Sequence, residues 1–172
     1  GRDPESLRAE KLRLFRAMQP LDPAHVVRGQ FNGYRSEAGV APNSQVETFA
    51  ALKLCIDTWR WAGVPFYIRA GKRLPITATE VKVDLKTPPL AIFDRTDAAE
   101  SNYFRFRLGP EVVISAGVRV KRAGDEMLGE PVELVARRSP ACEDLAYERL
   151  LGDAMRGDAS LFTRDDIVEA AW

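Results

Sequence analysis

The sequence is poor in the residues that bind metals or form disulfides. One histidine, His25, and two cysteines, Cys55 and Cys142, occur among 172 residues. No two of them lie at zinc-binding spacing, which excludes a structural zinc site. Two cysteines also exclude a disulfide framework. They either pair with each other or stay reduced, and we expect a reduced, cytoplasmic chain.

Net charge and long apolar runs are also missing. The 25 lysines and arginines balance the 25 aspartates and glutamates. This balance gives no electrostatic reason to bind nucleic acid or an anionic membrane. No apolar run approaches the roughly 20 residues of a membrane-spanning helix, and the N-terminal GRDPESLRAEK has no signal-peptide core. We therefore expect neither a nucleic-acid nor a membrane partner.

Nucleotide-binding motifs are absent as well. No G-x-G-x-x-G occurs, so the sequence encodes no dinucleotide site of the Rossmann type. Gly71 and Lys72 form a Gly-Lys pair, but Arg73 stands where a phosphate loop needs Ser or Thr. From its residues alone, the sequence describes a globular domain with no complete active site.

What is present predicts an α+β fold. Asp3 and Pro4 are typical of a helix start, and Pro20 ends the apolar stripe that follows. Later segments alternate apolar and polar residues, which favours antiparallel strands with one wet face. The predicted strands cover residues 25–31, 52–57, 66–69, 80–86, 102–108, 111–121 and 131–137. Two helices follow, over 142–155 and 167–172, the second opened by a capping box of Thr163 and Asp166. The order predicts a large, mainly antiparallel sheet with helices on one face.

Residues 47–75, ETFAALKLCIDTWRWAGVPFYIRAGKRLP, carry a specific resemblance. This block strongly resembles the C-terminal domain of glucose-6-phosphate dehydrogenase, in a bacterial-type member. Flanking segments resemble the same family in the same order: LRAEKLRLFRAMQPL and VVRGQFNGYRSEAGV before the block, and AYERLLGDAMRGDASLFTRDDIVEAAW after it. The resemblance is weakest between about residues 91 and 138.

The resemblance implies an enzyme activity for which these residues would need a second, N-terminal domain. The family oxidises glucose 6-phosphate to 6-phosphogluconolactone and reduces NADP, in the oxidative pentose phosphate pathway. NADP and the catalytic His and Asp belong to an N-terminal Rossmann half, which the sequence lacks. We expect residues 1–172 to be the C-terminal substrate-binding and oligomerisation domain, a fragment of a longer chain. Alone it would be inactive, would bind no cofactor and would form a homodimer or homotetramer through its sheet.

The resemblance implies that Lys72 contacts the phosphate group of the substrate. In this role Gly71 would let the backbone approach closely or take a positive φ. The alternative is a solvated lysine after a strand, with Gly71 serving only as a turn residue. Many family members carry a second cation at the position of Thr77, so phosphate binding should be weaker here unless Arg73 substitutes. Gly109 and Thr58 replace a Gln and an Asn of the family. These departures leave open a stand-alone, non-catalytic relative that acts as a dimerisation or regulatory module.

Aromatic residues give the remaining predictions. Trp59 and Trp61, around Arg60, are expected to lock a turn by core packing rather than to contact substrate. Trp172 aligns with a tryptophan that stacks on a second, structural NADP in some animal members. The Tyr and Lys of that site are Ser115 and Gly117 here. We therefore expect no structural NADP and a Trp172 packed in the core. His25 is expected to be a polar or capping residue.

Overall fold

The computed structural model describes residues 3–90, 101–138 and 146–172. The helices are α1 (Pro4–Arg16), α2 (Ala146–Arg156) and α3 (Asp165–Ala171). The strands are β1 (Val26–Gly29), β2 (Phe49–Leu54), β3 (Phe66–Gly71), β4 (Thr79–Asp84), β5 (Tyr103–Gly109), β6 (Val112–Lys121) and β7 (Gly129–Arg138). Short 3₁₀ turns cover Pro23–His25 and Tyr34–Ser36. All strand pairs are antiparallel, which confirms the α+β, mainly antiparallel prediction.

The strands form two sheets rather than one large sheet. The first contains β1, β2 and β3, and the second contains β4, β5, β6 and β7, each in chain order. The first sheet and the three helices belong to one compact unit, built from the described residues up to 74 and from 146 onwards. The second sheet lies in another unit, which begins at Pro75. The alternation of apolar and polar residues predicts individual strands. It does not determine how many of these strands join into one sheet.

The first unit begins as its sequence predicts. The Asp3 carboxylate accepts a hydrogen bond of 2.9 Å from the Ser6 N–H, which satisfies a free donor of the first helical turn. After α1 the chain pairs with the segment that follows β2, through an antiparallel bridge between Met18 and Ile56. Ile56 is only 3% exposed. The central strand β2 pairs Phe49 with glycines on both sides, Gly29 and Gly71.

Helix α3 packs against α1 through Ile167, which is 3% exposed. The Arg164 guanidinium adds an ion pair to Glu5 of α1. The predicted capping box is wrong, because the N-cap of α3 is Arg164 and no side chain caps it. The Asp166 carboxylate instead accepts a 3.0 Å hydrogen bond from Arg164 Nε.

The second unit has two chemically different sheet faces. Lys82, Arg105 and Ser115 lie opposite one another on adjacent strands and share one face. The other face carries Val81, Val83, Phe104, Ile114 and Leu134. These apolar side chains are exposed, Leu134 by 62%. The alternation predicted for β4 and β5 is therefore confirmed.

Tryptophan packing follows the prediction at one position only. The ring of Trp61 meets that of Phe66 edge to face, with centroids 5.3 Å apart. Trp59 is 91% exposed, with the Arg60 guanidinium 5.9 Å from its ring centroid, so its assignment to the core is wrong. Trp172 is fully exposed too, because it follows the end of α3 rather than facing α1. Core burial depends on which neighbours reach a side chain, and an aromatic residue type alone does not decide it.

His25 and the cysteines add little to the core. His25 ends a 3₁₀ turn that Asp22 caps, with 3.9 Å between Nδ1 and an Asp22 carboxylate oxygen. Cys55 is a free, half-buried thiol, and Cys142 lies outside the described residues. The first part of the helix predicted over 142–155 also lies outside them; the described part, α2, begins at Ala146. No helix within the described ranges is both long and apolar enough to cross a membrane.

Candidate functional site

Lys72 lies directly after β3, at the edge of the first sheet, and its side chain is exposed. Its backbone N–H donates a 2.8 Å hydrogen bond to the Thr48 carbonyl. Among the described residues its ammonium makes no hydrogen bond or ion pair. An exposed ammonium on a fixed backbone is suited to an anion, since a phosphate oxygen accepts a charge-assisted hydrogen bond.

Gly71 is required for close packing and not for an unusual backbone angle. A Cβ added to Gly71 would lie 2.9 Å from Phe49 Cδ2 and 3.2 Å from the Thr48 carbonyl oxygen. Its φ is not positive. Of the alternatives for this glycine, the structure supports the close backbone approach. The residue before Lys72 is therefore held against the same Thr48 carbonyl that binds the Lys72 N–H.

Arg73 has an unusual backbone for a non-glycine residue, with φ of 53°. Its guanidinium forms an ion pair with Glu37. It also lies over the Phe31 ring, 4.6 Å from the centroid. Both partners belong to the segment between β1 and β2. In this structure Arg73 is therefore not a second unpaired cation beside Lys72.

Thr48 connects the segments around Lys72. Its carbonyl accepts from the Lys72 N–H at 2.8 Å, and its N–H donates to the Gly29 carbonyl at 2.9 Å. Its hydroxyl oxygen accepts from the Phe31 N–H, also at 2.9 Å. Sequence reasoning missed Thr48, Phe31 and Glu37 as parts of this site. Their only sequence signal was that all three stand in family-like segments, Thr48 in ETF and the other two in VVRGQFNGYRSEAGV. No local pattern predicts that strand pairing brings these segments together.

Thr77 and Gly109 belong to the second unit, whereas Lys72 belongs to the first. Thr77 is exposed and lies two residues before β4. The first residue of β4, Thr79, pairs with Gly109 at the end of β5. Thr77 therefore lies two residues before the strand partner of Gly109. Thr58, the third departure, is half-buried in the first unit, and its hydroxyl has no partner in the part of the chain that the structure describes.

One face of the second sheet holds a polar cluster that sequence reasoning did not assemble. The Tyr103 hydroxyl donates to Glu133 at 2.9 Å and accepts from Arg105 at 3.0 Å. Arg105 also pairs with Glu133. Hydrogen bonds from Tyr103 and Ser115, together with the Arg105 charge, hold the pKa of Glu133 below its ordinary value of 4.5. We call Tyr103, Arg105, Ser115 and Glu133 the Tyr103 cluster.

The positions of the second NADP site noted in the sequence lie in this same cluster. Ser115 is 3% exposed. The Tyr103 ring covers Gly117, so that a Cβ there would lie 2.2 Å from Tyr103 Cε1. Lys82 is paired with Asp84 at 2.9 Å, and its ammonium lies 4.7 Å from the Tyr103 ring centroid. The absence of a second, structural NADP stays a prediction from the sequence.

A coenzyme cleft of the Rossmann type does not fit the described residues either. Such a cleft needs parallel strands joined by a helix, with a glycine-rich turn at the phosphate. Every strand pair from β1 to β7 is antiparallel. Within the described ranges there is also no group of three His, Cys, Asp or Glu side chains placed to hold a metal.

Comparison with known proteins decides the family. A family model described as "Glucose-6-phosphate dehydrogenase, C-terminal domain" matches residues 1–172. The chain belongs to the glucose-6-phosphate dehydrogenase family. Glucose-6-phosphate 1-dehydrogenase 1 of Mycobacterium tuberculosis (strain H37Rv) is 40% identical over 184 aligned residues. The enzyme of Treponema pallidum is also 40% identical, over 186 residues and 96% of the chain. The family resemblance in the sequence is thereby confirmed.

Solved glucose-6-phosphate dehydrogenases share the fold. The crystal structure of the Mycobacterium avium enzyme matches all of the chain with a TM-score of 0.87 and 38% identity. A glucose-6-phosphate dehydrogenase in complex with its substrate glucose-6-phosphate matches with a TM-score of 0.82 and 30% identity. The chain covers 37% of each of these two structures. It likewise spans 37% of the M. tuberculosis relative, so it corresponds to one portion of that enzyme.

Proposed function

We propose that residues 1–172 are the C-terminal substrate-binding and oligomerisation domain of a glucose-6-phosphate dehydrogenase. The complete enzyme would oxidise glucose 6-phosphate to 6-phosphogluconolactone and reduce NADP in the cytoplasm. The observation that carries the proposal is Lys72, an exposed ammonium on a backbone pinned to Thr48, in a chain of this family. Family membership supplies the reaction, and Lys72 supplies a contact for the substrate phosphate.

The role of this domain would be binding rather than bond breaking. The phosphate of a sugar phosphate carries close to two negative charges at neutral pH, and Lys72 offers one positive charge with three donors. NADP, the hydride acceptor of the family's reaction, would bind to a coenzyme domain outside these residues. His25, although it lies near Asp22, is half exposed at the end of a 3₁₀ turn, so the general base would lie outside the described residues. Residues 1–172 alone would be inactive, and NADP reduction by the isolated chain would contradict this.

Steady-state kinetics of the complete polypeptide that carries these residues test the proposal. Lys72→Ala should raise the KM for glucose 6-phosphate about ten- to a hundredfold, the usual value of a charge-assisted hydrogen bond. With unphosphorylated glucose as the substrate, the same variant should retain the parent kcat/KM. Lys86→Ala, another exposed lysine, is the control and should change neither substrate's kinetics.

Two outcomes would contradict the assignment of Lys72. One is an unchanged KM for glucose 6-phosphate in Lys72→Ala. The other is an equal loss with both substrates in a folded variant, because the effect would then not depend on the phosphate. A complete, folded polypeptide with no dehydrogenase activity would contradict the enzyme itself. That result would favour the alternative function, a non-catalytic dimerisation or regulatory module.

We also propose that the enzyme assembles into a homodimer or homotetramer through the second sheet. The supporting observation is the apolar face of Val81, Val83, Phe104, Ile114 and Leu134, whose exposed side chains gain free energy when they are covered. Analytical ultracentrifugation of the complete polypeptide should show an oligomer. Leu134→Glu should dissociate it into monomers, whereas Glu130→Gln on the same strand should not. A monomer at high concentration would overturn this proposal.

A further inference from the structure

We propose that Arg73 is a positioning residue that holds Lys72 for the phosphate, and that it is not itself the second phosphate cation. The inference rests on the proposed function, since Lys72 is the phosphate contact there. It concerns a group of residues that we call the Arg73 clamp: Arg73, Glu37 and Phe31. The clamp, Lys72 and Thr48 all lie in the first unit.

The backbone of Arg73 is the first argument. A φ of 53° places it in the left-handed region, which disfavours residues with a Cβ and persists only when surrounding contacts hold it. No hydrogen bond of the Arg73 N–H appears among the described residues. The contacts that hold this conformation are therefore those of the side chain, to Glu37 and Phe31.

The second argument is that the positive charge of Arg73 is already paired within the chain. One guanidinium nitrogen pairs with the Glu37 carboxylate, and Arg73 Cζ lies 4.6 Å from the Phe31 ring centroid. A phosphate approaching Arg73 would have to displace Glu37 or meet its negative charge. Lys72, in contrast, has an exposed side chain whose ammonium is unpaired within the described ranges.

The third argument is that the clamp and Lys72 are tied to the same residue. Phe31, which lies under the guanidinium, donates its N–H to the Thr48 hydroxyl at 2.9 Å. The Lys72 N–H donates to the Thr48 carbonyl at 2.8 Å. The chain thus forms a closed path from Lys72 through Arg73, Phe31 and Thr48 back to Lys72. This path restricts the backbone of Lys72 before the ligand arrives, and a restricted group loses less entropy on binding.

Kinetics of the complete enzyme with glucose 6-phosphate and with glucose test the inference. Glu37→Gln should raise the KM for glucose 6-phosphate about two- to fivefold, and Arg73→Ala about three- to tenfold, as expected for an exposed ion pair with a cation–π contact. The kcat/KM for glucose should stay at the parent value. The double variant should be no worse than Arg73→Ala, because both changes open the same clamp.

Glu47→Gln is the matched control. Glu47 pairs with Arg28 at 2.7 Å, and its side chain is 40% exposed, against 41% for Glu37. The Glu47→Gln change therefore removes an ion pair of similar exposure that lies outside the Arg73 clamp. The KM for glucose 6-phosphate should therefore stay at the parent value in Glu47→Gln.

The opposite role for Arg73 gives opposite results. If Arg73 binds the phosphate directly, Glu37→Gln frees the guanidinium and lowers the KM for glucose 6-phosphate, and Arg73→Ala costs as much as Lys72→Ala. Either result overturns the inference, and so does an unchanged KM in both clamp variants. These outcomes presuppose a parent enzyme that is active and sensitive to Lys72→Ala. An inactive parent, or one insensitive to that change, instead overturns the proposed function.

Discussion

The ring of Tyr103 covers Gly117 on the neighbouring strand, so closely that a Cβ at Gly117 would lie 2.2 Å from Tyr103 Cε1. The glycine leaves room for the ring, and the ring position allows the Tyr103 hydroxyl to reach Glu133 and Arg105. A glycine inside a strand usually costs stability. Here Gly117 is required, because only a residue without a Cβ leaves the Tyr103 ring in the position that forms the Tyr103 cluster.

Gly117→Ala should therefore lower the free energy of unfolding by about 1–3 kcal/mol, the typical cost of overpacking, despite the better strand propensity of alanine. Urea denaturation of the variant and the parent measures this difference in unfolding free energy. In a Tyr103→Ala background, the Gly117→Ala change should be neutral or stabilising, because the ring that it meets is gone. Equal destabilisation in both backgrounds would show that the ring is not the cause.

The pH dependence of stability should depend in part on Glu133. Hydrogen bonds from Tyr103 and Ser115, and the Arg105 charge, hold its pKa below the ordinary 4.5 in the folded chain. Its stabilising contribution is complete above the unfolded pKa and is lost as pH falls through the lower, folded pKa. Acid should destabilise the parent below about pH 4.5, and Glu133→Gln and Tyr103→Phe should each flatten that slope. A Tyr103→Phe variant with the parent slope would contradict the leading role of the hydroxyl.

Two glycines that flank Phe49 provide a matched pair. Gly71→Ala should cost about 1–3 kcal/mol of unfolding free energy, because the new Cβ would lie 2.9 Å from Phe49 Cδ2. Gly29 pairs with the same phenylalanine from the other side, but a Cβ there meets nothing within 4 Å. Gly29→Ala should therefore keep the stability of the parent or raise it. Similar losses in both variants would contradict the close-approach explanation of Gly71.

Thr77→Arg tests the missing second cation. An arginine at this exposed position should lower the KM of the complete enzyme for glucose 6-phosphate by up to about tenfold. The gain should shrink as salt is added, because exposed charges are screened. Thr77→Val, which changes shape little and adds no charge, should give no gain. Unchanged binding of glucose 6-phosphate in Thr77→Arg would mean that this position does not face the phosphate.

Thr58 offers a stabilising substitution. Its buried hydroxyl has no hydrogen-bond partner among the described residues. Thr58→Val keeps the branched shape and removes the unpaired polar atom, so thermal or urea unfolding should show stability equal to the parent or up to about 1 kcal/mol higher. Ser115→Ala is the contrasting variant. It should destabilise, since the Ser115 hydroxyl bonds to Glu133. A less stable Thr58→Val protein would mean that the hydroxyl has a partner.

Local pattern predicted the elements of this fold well because their causes are local. The Asp3 cap, the alternation of Val81, Lys82 and Val83, and the turn around Arg60 each depend on residues close in the chain. The prediction for Thr163 was wrong although it was also local. A capping motif competes with ion pairs, and Arg164, paired with Glu5 and Asp166, is the N-cap of α3 instead.

Sequence determined the antiparallel strands, which follow from local alternation, and the family, which follows from the order of its motifs. The role of Lys72 is implied by that family resemblance and stays a prediction. Only the tertiary structure decided that Arg73 is paired with Glu37, that Thr48 links Lys72 to Phe31, that Tyr103 lies over Gly117, and that Trp59 and Trp172 are exposed. Glu37 and Arg73 are 36 residues apart in sequence. Such neighbours are created by strand register and loop path, which no local pattern specifies.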